Sequence, residues 1–230
     1  MGDTRMKKKL FTSVLASALV VPAVVVPASA QTPFKDMAET SPYAEAVTFL
    51  KSQNIITGYA DQTFRPAENI SRQHVISILN KLVDLDPVRE AKTFVDVPST
   101  HPYYNAIQQA YRAGIIDGDL QNKFNPNAPI TRAQVAKILA LALNLKSDTS
   151  IALQDVPETH WSSEYVQALA ESGITTVTEN GLYRPDEKLT RGQYALFLYR
   201  YLHIEEGQVV TQHITAIDRK SGSAGMPRPI

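Results

Sequence analysis

The sequence has no cysteine and no excess of charge of either sign. Without cysteine the chain forms no disulfide framework, no thiolate zinc site and no cysteine nucleophile. Its 23 Lys and Arg residues balance 23 Asp and Glu residues, whereas a nucleic-acid-binding protein normally carries a marked basic excess. The composition therefore argues against a nucleic-acid partner, while the 43% hydrophobic content is enough to build a packed core.

Signals of catalysis or cofactor binding are also missing. The five histidines have no metal-ligand spacing, and the sequence contains neither a Gly-x-Ser-x-Gly motif nor a phosphate-binding loop. The segment Asp117–Asn122 resembles a calcium loop but lacks its central glycine and distal glutamate, so we interpret it as a turn. We predict no catalytic residue, cofactor or metal, although a glycosidase carboxylate pair is defined by spatial separation and stays open.

Only one long hydrophobic run is present, and it lies near the N-terminus. Leu10–Val26 follows the basic segment Met6–Lys9 and precedes Ala28–Ala30, whose small residues suit signal peptidase. We therefore predict a secretory signal at residues 1–30, an exported protein and no membrane contact after cleavage. The alternative is an uncleaved anchor, because the run approaches the roughly 20 residues of a spanning helix, but its two prolines favour cleavage.

The rest of the chain repeats one pattern three times, at offsets of 60 and then 59 residues. We assign the repeats to residues 34–85, 94–145 and 153–202, and residues 203–230 to a linker or truncated tail. Each copy opens with a short motif containing aspartate: Phe34–Met37, Phe94–Val97 and Leu153–Val156. A turn motif follows at Asn54–Gly58, Gly114–Gly118 and Gly173–Val177. An aromatic-x-Pro motif comes next at Phe64–Pro66, Phe124–Pro126 and Tyr183–Pro185. The last motif is Ile70–Gln73, Ile130–Ala133 and Leu189–Gly192.

Each copy is predicted to form a helix, a loop and a second helix. In the second copy Gly114 suits a helix C-terminus that needs positive φ, and Thr131 with Gln134 has the spacing of a capping box. Apolar stripes at helical spacing mark the second helices: Val75, Ile78, Leu79 and Leu82; Val135, Ile138, Leu139 and Ala142; Tyr194, Phe197, Leu198 and Tyr201. Two short helices cannot bury such a stripe alone, so we predict an all-α fold of three helix-loop-helix repeats in a pseudo-threefold, three-lobed bundle.

This succession of motifs resembles the S-layer homology domain in its usual tandem of three, over residues 34–202. The resemblance implies a three-lobed module that attaches exported proteins non-covalently to the bacterial cell wall or S-layer. It also implies a ligand, a secondary cell-wall polysaccharide that typically bears a pyruvate ketal on N-acetylmannosamine. In the family this glycan binds in grooves between repeats, where the arginine of a Thr-Arg-Ala-Glu motif meets the acidic group. Peptidoglycan and S-layer subunits are alternative partners.

An arginine follows the predicted N-cap in every copy. The pairs are Ser71 and Arg72, Thr131 and Arg132, and Thr190 and Arg191. The helix dipole disfavours a basic side chain there by about 0.3–1 kcal/mol, yet free helix amides and a guanidinium together suit a carboxylate. We therefore interpret these residues as ligand-binding. The alternative is a structural ion pair with Asp36, Asp96 or Asp155.

Other candidate glycan-binding residues come from the repeated motifs and from one aromatic residue: Asp36, Asp96, Asp155, Gly58, Gly114, Gly118, Gly173 and Trp161. The copies depart unequally from the family pattern. The motif's glutamate is replaced by His74, Gln134 and Gln193, and the turn glycine becomes Val177, which would strain a left-handed position. We therefore expect unequal grooves, with the second copy the most intact and loss of Arg132 more harmful than loss of Arg191.

Two other classes of function stay open at this point. One is a surface enzyme that carries a reaction on the repeats, which would need a catalytic constellation in a cleft. The other is a lattice subunit or protein-interaction scaffold, in which the arginines would be neutralised by carboxylates.

Overall fold

The structure is a computed structural model, and it describes residues 32–176 and 181–204. The predicted signal segment, Val177 and nearly all of the predicted tail lie outside these residues. The helices are α1 (Ala44–Ser52), α2 (Arg72–Leu82), α3 (Tyr104–Arg112), α4 (Arg132–Ala142), α5 (Ser163–Glu171) and α6 (Arg191–Ile204). Within the described ranges the chain forms three isolated β-bridges but no strand. The predicted all-α class with two helices per repeat is confirmed.

The helices pair across the repeat boundaries. Helix α2 of the first repeat packs against α3 of the second, and α4 of the second packs against α5 of the third. Helix α6 of the third repeat returns to pack against α1 of the first. The three lobes therefore close into a ring, and each lobe is completed by a neighbouring repeat.

The first helices end where the sequence predicts a left-handed residue. Gly114 and Gly173 follow α3 and α5 with φ of 75° and 74°, and Asn54 follows α1 with φ of 57°. Glycine carries no Cβ penalty there, and asparagine is among the residues that tolerate this conformation best. These positions turn the chain into the loop that leads to the second helix.

The opening aspartates fasten these loops. Asp96 accepts hydrogen bonds from the amides of Phe124 and Asn125 at 2.8 and 2.7 Å, and Asp36 and Asp155 accept the equivalent pairs in their own repeats. The second amide of each pair belongs to a residue with positive φ: Arg65 at 59°, Asn125 at 57° and Arg184 at 61°. Such a conformation costs of order 1–3 kcal/mol for a residue other than glycine, and the two charge-assisted bonds help to offset it.

A ring of three backbone hydrogen bonds lies where the second helices begin. The Ile70 amide donates to the Leu189 carbonyl at 2.9 Å, Leu189 to Ile130 at 3.0 Å, and Ile130 to Ile70 at 3.2 Å. All three side chains are fully buried. Each of these residues immediately precedes the N-cap of a second helix, so the ring sets where all three helices start.

Truncation of one of the three side chains at this ring of backbone hydrogen bonds tests the arrangement. We expect Ile130→Ala to lower the free energy of unfolding by about 2–5 kcal/mol, because it leaves a cavity at the meeting point of the repeats. Urea unfolding followed by circular dichroism measures the loss, and the chain should still unfold in one transition. Val95→Ala, at a side chain that is 68% exposed, is the matched control, with an expected change within about 0.5 kcal/mol. Equal effects of the two substitutions would contradict a structural role for the ring.

Candidate functional site: grooves between the repeats

Each motif arginine reaches across a repeat boundary onto the aromatic-x-Pro loop of the next repeat. The Nε atom of Arg72 donates to the carbonyl of Phe124 at 2.9 Å, and its guanidinium carbon lies 4.7 Å from the centre of that ring. Arg132 makes the same pair of contacts with Tyr183, at 2.8 and 4.6 Å. Arg191 closes the cycle on Phe64, at 2.8 and 4.7 Å.

These contacts explain how an arginine is tolerated in the first turn of a helix. A guanidinium over an aromatic face gains about 0.5–2 kcal/mol, depending on how far it is desolvated. That gain, with the Nε hydrogen bond, offsets the unfavourable dipole term. Where Arg132 meets Tyr183, burial raises the pKa of the tyrosine to about 12, so the phenol stays protonated and donates to the Arg132 carbonyl at 3.1 Å.

The terminal nitrogens of these arginines stay available. Among the described residues, Arg72, Arg132 and Arg191 form no ion pair, and each side chain donates a hydrogen bond only through Nε. The carboxylates proposed as structural partners, such as Asp36 and Asp96, accept backbone amides instead. The side chains are nevertheless withdrawn from solvent, half-buried for Arg72 and Arg132 and 8% exposed for Arg191.

The expectation of free helix amides beside the arginines is wrong. The amides of Arg191 and Gly192 donate to the carbonyls of Glu68 and Pro66 at 2.8 and 2.9 Å. The first two amides of α2 and α4 make the equivalent bonds to the next repeat. These bonds fix each helix end onto its neighbour, so an anion in the groove depends on the terminal guanidinium nitrogens.

Burial of the arginine side chains away from water favours the binding of an anion beside them. It lowers the pKa of Arg72 and of Arg191, and it outweighs the opposing effects of nearby groups, among them Asp119 beside Arg72 and Glu68 near Arg191. A charge that has lost water without gaining a partner is destabilised. A carboxylate entering the groove would restore the lost interaction.

A cavity of about 220 Å³ lies at the Arg191 boundary. It is bounded by the turn of the first repeat, by α2, by the start of α6 and by Tyr103 at the start of α3. Its polar and charged lining residues are Thr57, Tyr59, His74, Ser77, Lys81, Tyr103, Arg191 and Tyr194. Three repeats therefore contribute to one groove, and Arg191 also lies 4.9 Å from the centre of the Tyr59 ring.

This geometry corrects the predicted assignment of arginines to turns. Arg191 lies beside the turn of the first repeat, which contains Gly58. Arg132 contacts the loop of the third repeat, whose turn sequence carries Val177. The expectation that Val177 impairs the Arg191 groove is therefore wrong, because an arginine and its facing turn come from consecutive repeats.

The turn glycines serve close packing and not a left-handed backbone. Neither Gly58 nor Gly118 has positive φ. A Cβ at Gly58 would lie 2.1 Å from the ring of Phe34, and one at Gly118 would lie 2.8 Å from the ring of Phe94. The interpretation of Gly58 and Gly118 as left-handed turn residues is thus wrong. Val177 lies outside the described residues, and the repeat that carries it opens with the smaller Leu153.

The family follows from a comparison with known proteins. A model of the S-layer homology domain matches residues 33–76, 93–136 and 154–195, which make up more than half of the chain. The chain belongs to the S-layer homology (SLH) domain family. The predicted resemblance and the tandem of three SLH repeats are confirmed.

Similar curated proteins include a surface-layer 125 kDa protein of Lysinibacillus sphaericus, 28% identical over 94% of this chain and 19% of its own length. A cell surface protein of Thermoanaerobacter kivui is 30% identical over 86% of this chain and 25% of its own. An amylopullulanase of Thermoanaerobacterium thermosulfurigenes is 27% identical over 69% of this chain and 9% of its own. The chain thus spans at most a quarter of the length of these relatives, and the matched module occurs in an enzyme as well as in surface proteins.

The SLH family and its surface-layer relatives indicate an exported protein at the bacterial cell surface. Within residues 32–176 and 181–204, no helix combines the length and apolar character needed to cross a membrane.

The remaining predicted site residues cap or end helices, apart from Trp161, which lies on the surface. Thr131 and Thr190 cap their helices by accepting the amides of Gln134 and Gln193, and Ser71 contacts His74. Trp161 is 54% exposed with its ring 5.7 Å from that of His160. The glycines Gly114 and Gly173 end helices, as described above.

The calcium-like segment is a turn, as interpreted from the sequence. Asp119 accepts the amides of Gln121 and Lys123, each at 2.9 Å, and the side chain of Asn125. In the part of the chain that the structure describes, no group of three or more acidic or histidine side chains is placed to hold a metal.

The sequence-based prediction missed the aromatic residues of the grooves. The aromatic-x-Pro motif was visible as Phe64, Phe124 and Tyr183, but only the structure shows that its ring carries the arginine of the preceding repeat. Tyr59 and Tyr103 also line the Arg191 cavity. Tyr59 carries no recurring signal, because its counterparts are Asp119 and Thr178, whereas Tyr103 recurs as Tyr43 in the first repeat.

Substitution of a turn glycine tests the packing account of the SLH turn. We expect Gly58→Ala to lower the free energy of unfolding by about 1–3 kcal/mol through overpacking against Phe34. Adding Phe34→Leu, which imitates the third repeat, should recover part of this loss. A double-mutant cycle from urea unfolding measures the coupling. Gly118→Ala is the matched comparison, and its loss of unfolding free energy should be smaller because the contact with Phe94 is longer. Strictly additive effects of Gly58→Ala and Phe34→Leu would contradict the packing account.

Proposed function

We propose that the three SLH repeats anchor the protein non-covalently to the bacterial cell wall by binding an acidic secondary polysaccharide, pyruvylated on N-acetylmannosamine, in the inter-repeat grooves. The observation that carries this proposal is the state of the three arginines. Each is held in a groove by an aromatic ring and a backbone carbonyl of the next repeat, while its terminal nitrogens have no partner among the described residues.

The geometry favours a carboxylate over a neutral sugar. A guanidinium whose Nε is already bonded presents its two terminal nitrogens as a fixed fork, which matches the two oxygens of a carboxylate. The ring beneath Arg191, Phe64, fixes the plane of that fork. Because the surroundings are partly desolvated, the charge-assisted bonds would be stronger than on an open surface.

Retention would come from several weak contacts. The grooves recur around one closed ring, and a wall polysaccharide presents many repeats of the same acidic unit. Simultaneous occupation of linked sites raises apparent affinity by up to ~10²–10⁴ through effective concentration. The repeats act as an anchor under this proposal and supply no reaction of their own.

Co-sedimentation with purified Gram-positive sacculi tests the anchor. The protein should sediment with intact sacculi and stay in the supernatant after chemical removal of the secondary polysaccharide. Binding that persists after removal would point to peptidoglycan and overturn the polysaccharide proposal. The absence of binding to either preparation would favour a protein partner such as S-layer subunits.

Substitution of the arginines tests the site. We expect Arg72→Gln, Arg132→Gln and Arg191→Gln each to weaken sedimentation, and the triple variant to lose at least a hundredfold in apparent affinity as multivalency fails. Arg112→Gln, at an exposed position on α3, is the matched control and should bind like the wild type. Circular dichroism and urea midpoints verify that each variant is folded. A folded triple variant with undiminished binding would contradict the proposed site.

A further inference from the structure

The position that carries glutamate in the family motif holds different residue types in the grooves of this chain. In α4 and α6 it is Gln134 and Gln193, and each side-chain oxygen accepts the backbone amide of the preceding N-cap at 3.0 Å. Both glutamines are therefore occupied in capping boxes. In α2 the residue at this position is His74, and the side chain of the N-cap residue, Ser71, forms no capping hydrogen bond with the backbone.

His74 is placed to meet a ligand in the Arg191 cavity. Its Nδ1 atom lies 3.0 Å from the Ser71 hydroxyl, and its ring packs edge-on against Tyr103 at 5.4 Å. The ring lines the same cavity as Arg191. Among the described residues, no hydrogen bond occupies its Nε2 atom.

The charged surroundings of His74 are mainly basic or neutral. The titratable groups that share its cavity, from all four packed segments, are Tyr59, Lys81, Tyr103, Arg191 and Tyr194. The pKa of His74 responds to burial and to Arg191, and the carboxylates Glu68 and Asp36 act on Arg191. Both are engaged, Glu68 by Tyr59 and Arg65, and Asp36 by backbone amides. No described carboxylate pairs with the imidazole.

These surroundings disfavour a proton on His74 while the groove is empty. Burial, followed by the charge of Arg191, lowers the pKa of His74 below its usual range. A carboxylate bound at Arg191 would counter the charge of that arginine and give the protonated imidazole of His74 a direct partner. Ligand binding would then raise the pKa of His74, and by linkage the affinity rises as the pH falls.

We propose that the Arg191 cavity is a proton-linked glycan site, in which His74 takes up a proton when an acidic sugar binds and donates it from Nε2 to the ligand. The Arg72 and Arg132 grooves, with glutamine at this position, bind without proton uptake. This inference rests on the proposed function, because it takes the same acidic glycan as ligand. It distinguishes one groove of the chain as responsive to mild acidity.

Calorimetry and NMR on the same ligand test the proposal. The probe is the methyl glycoside of pyruvylated N-acetylmannosamine, and the glycoside without the ketal is its control. We expect wild-type affinity at the Arg191 cavity to rise about tenfold from pH 8 to pH 5, because the bound acidic probe favours the protonated form of His74. The ring proton signals of His74 should titrate at higher pH with the probe than without it.

Variants separate this site from the others. The double variant Arg72→Gln, Arg132→Gln should keep the full pH dependence, because it leaves only the Arg191 cavity. In His74→Gln the ratio of the affinities at pH 5 and pH 8 should fall to about one, whatever the affinity at pH 8, and urea unfolding at pH 8 verifies that the variant is folded. Binding of the probe with no change in the His74 titration, or an equal gain at pH 5 in His74→Gln, would overturn this inference alone. Failure of the wild type to bind the probe at any pH would overturn the proposed function as well.

Discussion

The grooves depend on the ring of backbone hydrogen bonds among Ile70, Ile130 and Leu189. Each residue precedes an N-cap, so the ring fixes the start of every second helix relative to the other two. The amides of the first helical turn then bond to carbonyls of the next repeat, which removes the freedom of the helix end to rotate or fray. Because the backbone is held in this way, the arginine at the start of each second helix contacts the aromatic ring of the next repeat. The binding geometry is thus a consequence of how three repeats are joined at their centre.

The arginines combine an unfavourable helix position with favourable local contacts. A cation in the first helical turn opposes the dipole, and withdrawal of the guanidinium from water adds to the cost. Ring stacking and the Nε bond compensate for part of this energy. They leave the terminal nitrogens without partners in the described chain. A sequence selected for stability alone would place a carboxylate there, as it does for Arg65 with Asp61 and Glu68. These unpaired terminal nitrogens are the feature on which the proposed binding of an external anion depends.

Much of the fold could be predicted from the sequence because its signals are local. The periodic stripes, the capping pair Thr131 and Gln134, and the helix-ending Gly114 each depend on residues a few positions apart, and they behave as expected. The site was harder to predict because it is assembled from distant residues. Arg191 and Phe64 are 127 positions apart, and no pattern within one copy indicates that they meet. The role of Gly58 was also misjudged, since the approach of Phe34 is a tertiary contact that its local sequence does not reveal.

The cyclic arrangement changes how divergence between the repeats acts on function. The Arg191 groove takes its arginine from the third repeat, its turn and second helix from the first, and the aromatic residue Tyr103 from the second. A substitution in one repeat therefore affects a groove whose arginine lies elsewhere. The third repeat carries Leu153 and Val177 where the other two have an opening phenylalanine and a turn glycine. Its loop at Tyr183 receives Arg132 of the second repeat, while its own Arg191 lies beside the turn of the first repeat. Divergence in one repeat can thus make one groove different while the arginine of that repeat continues to serve another.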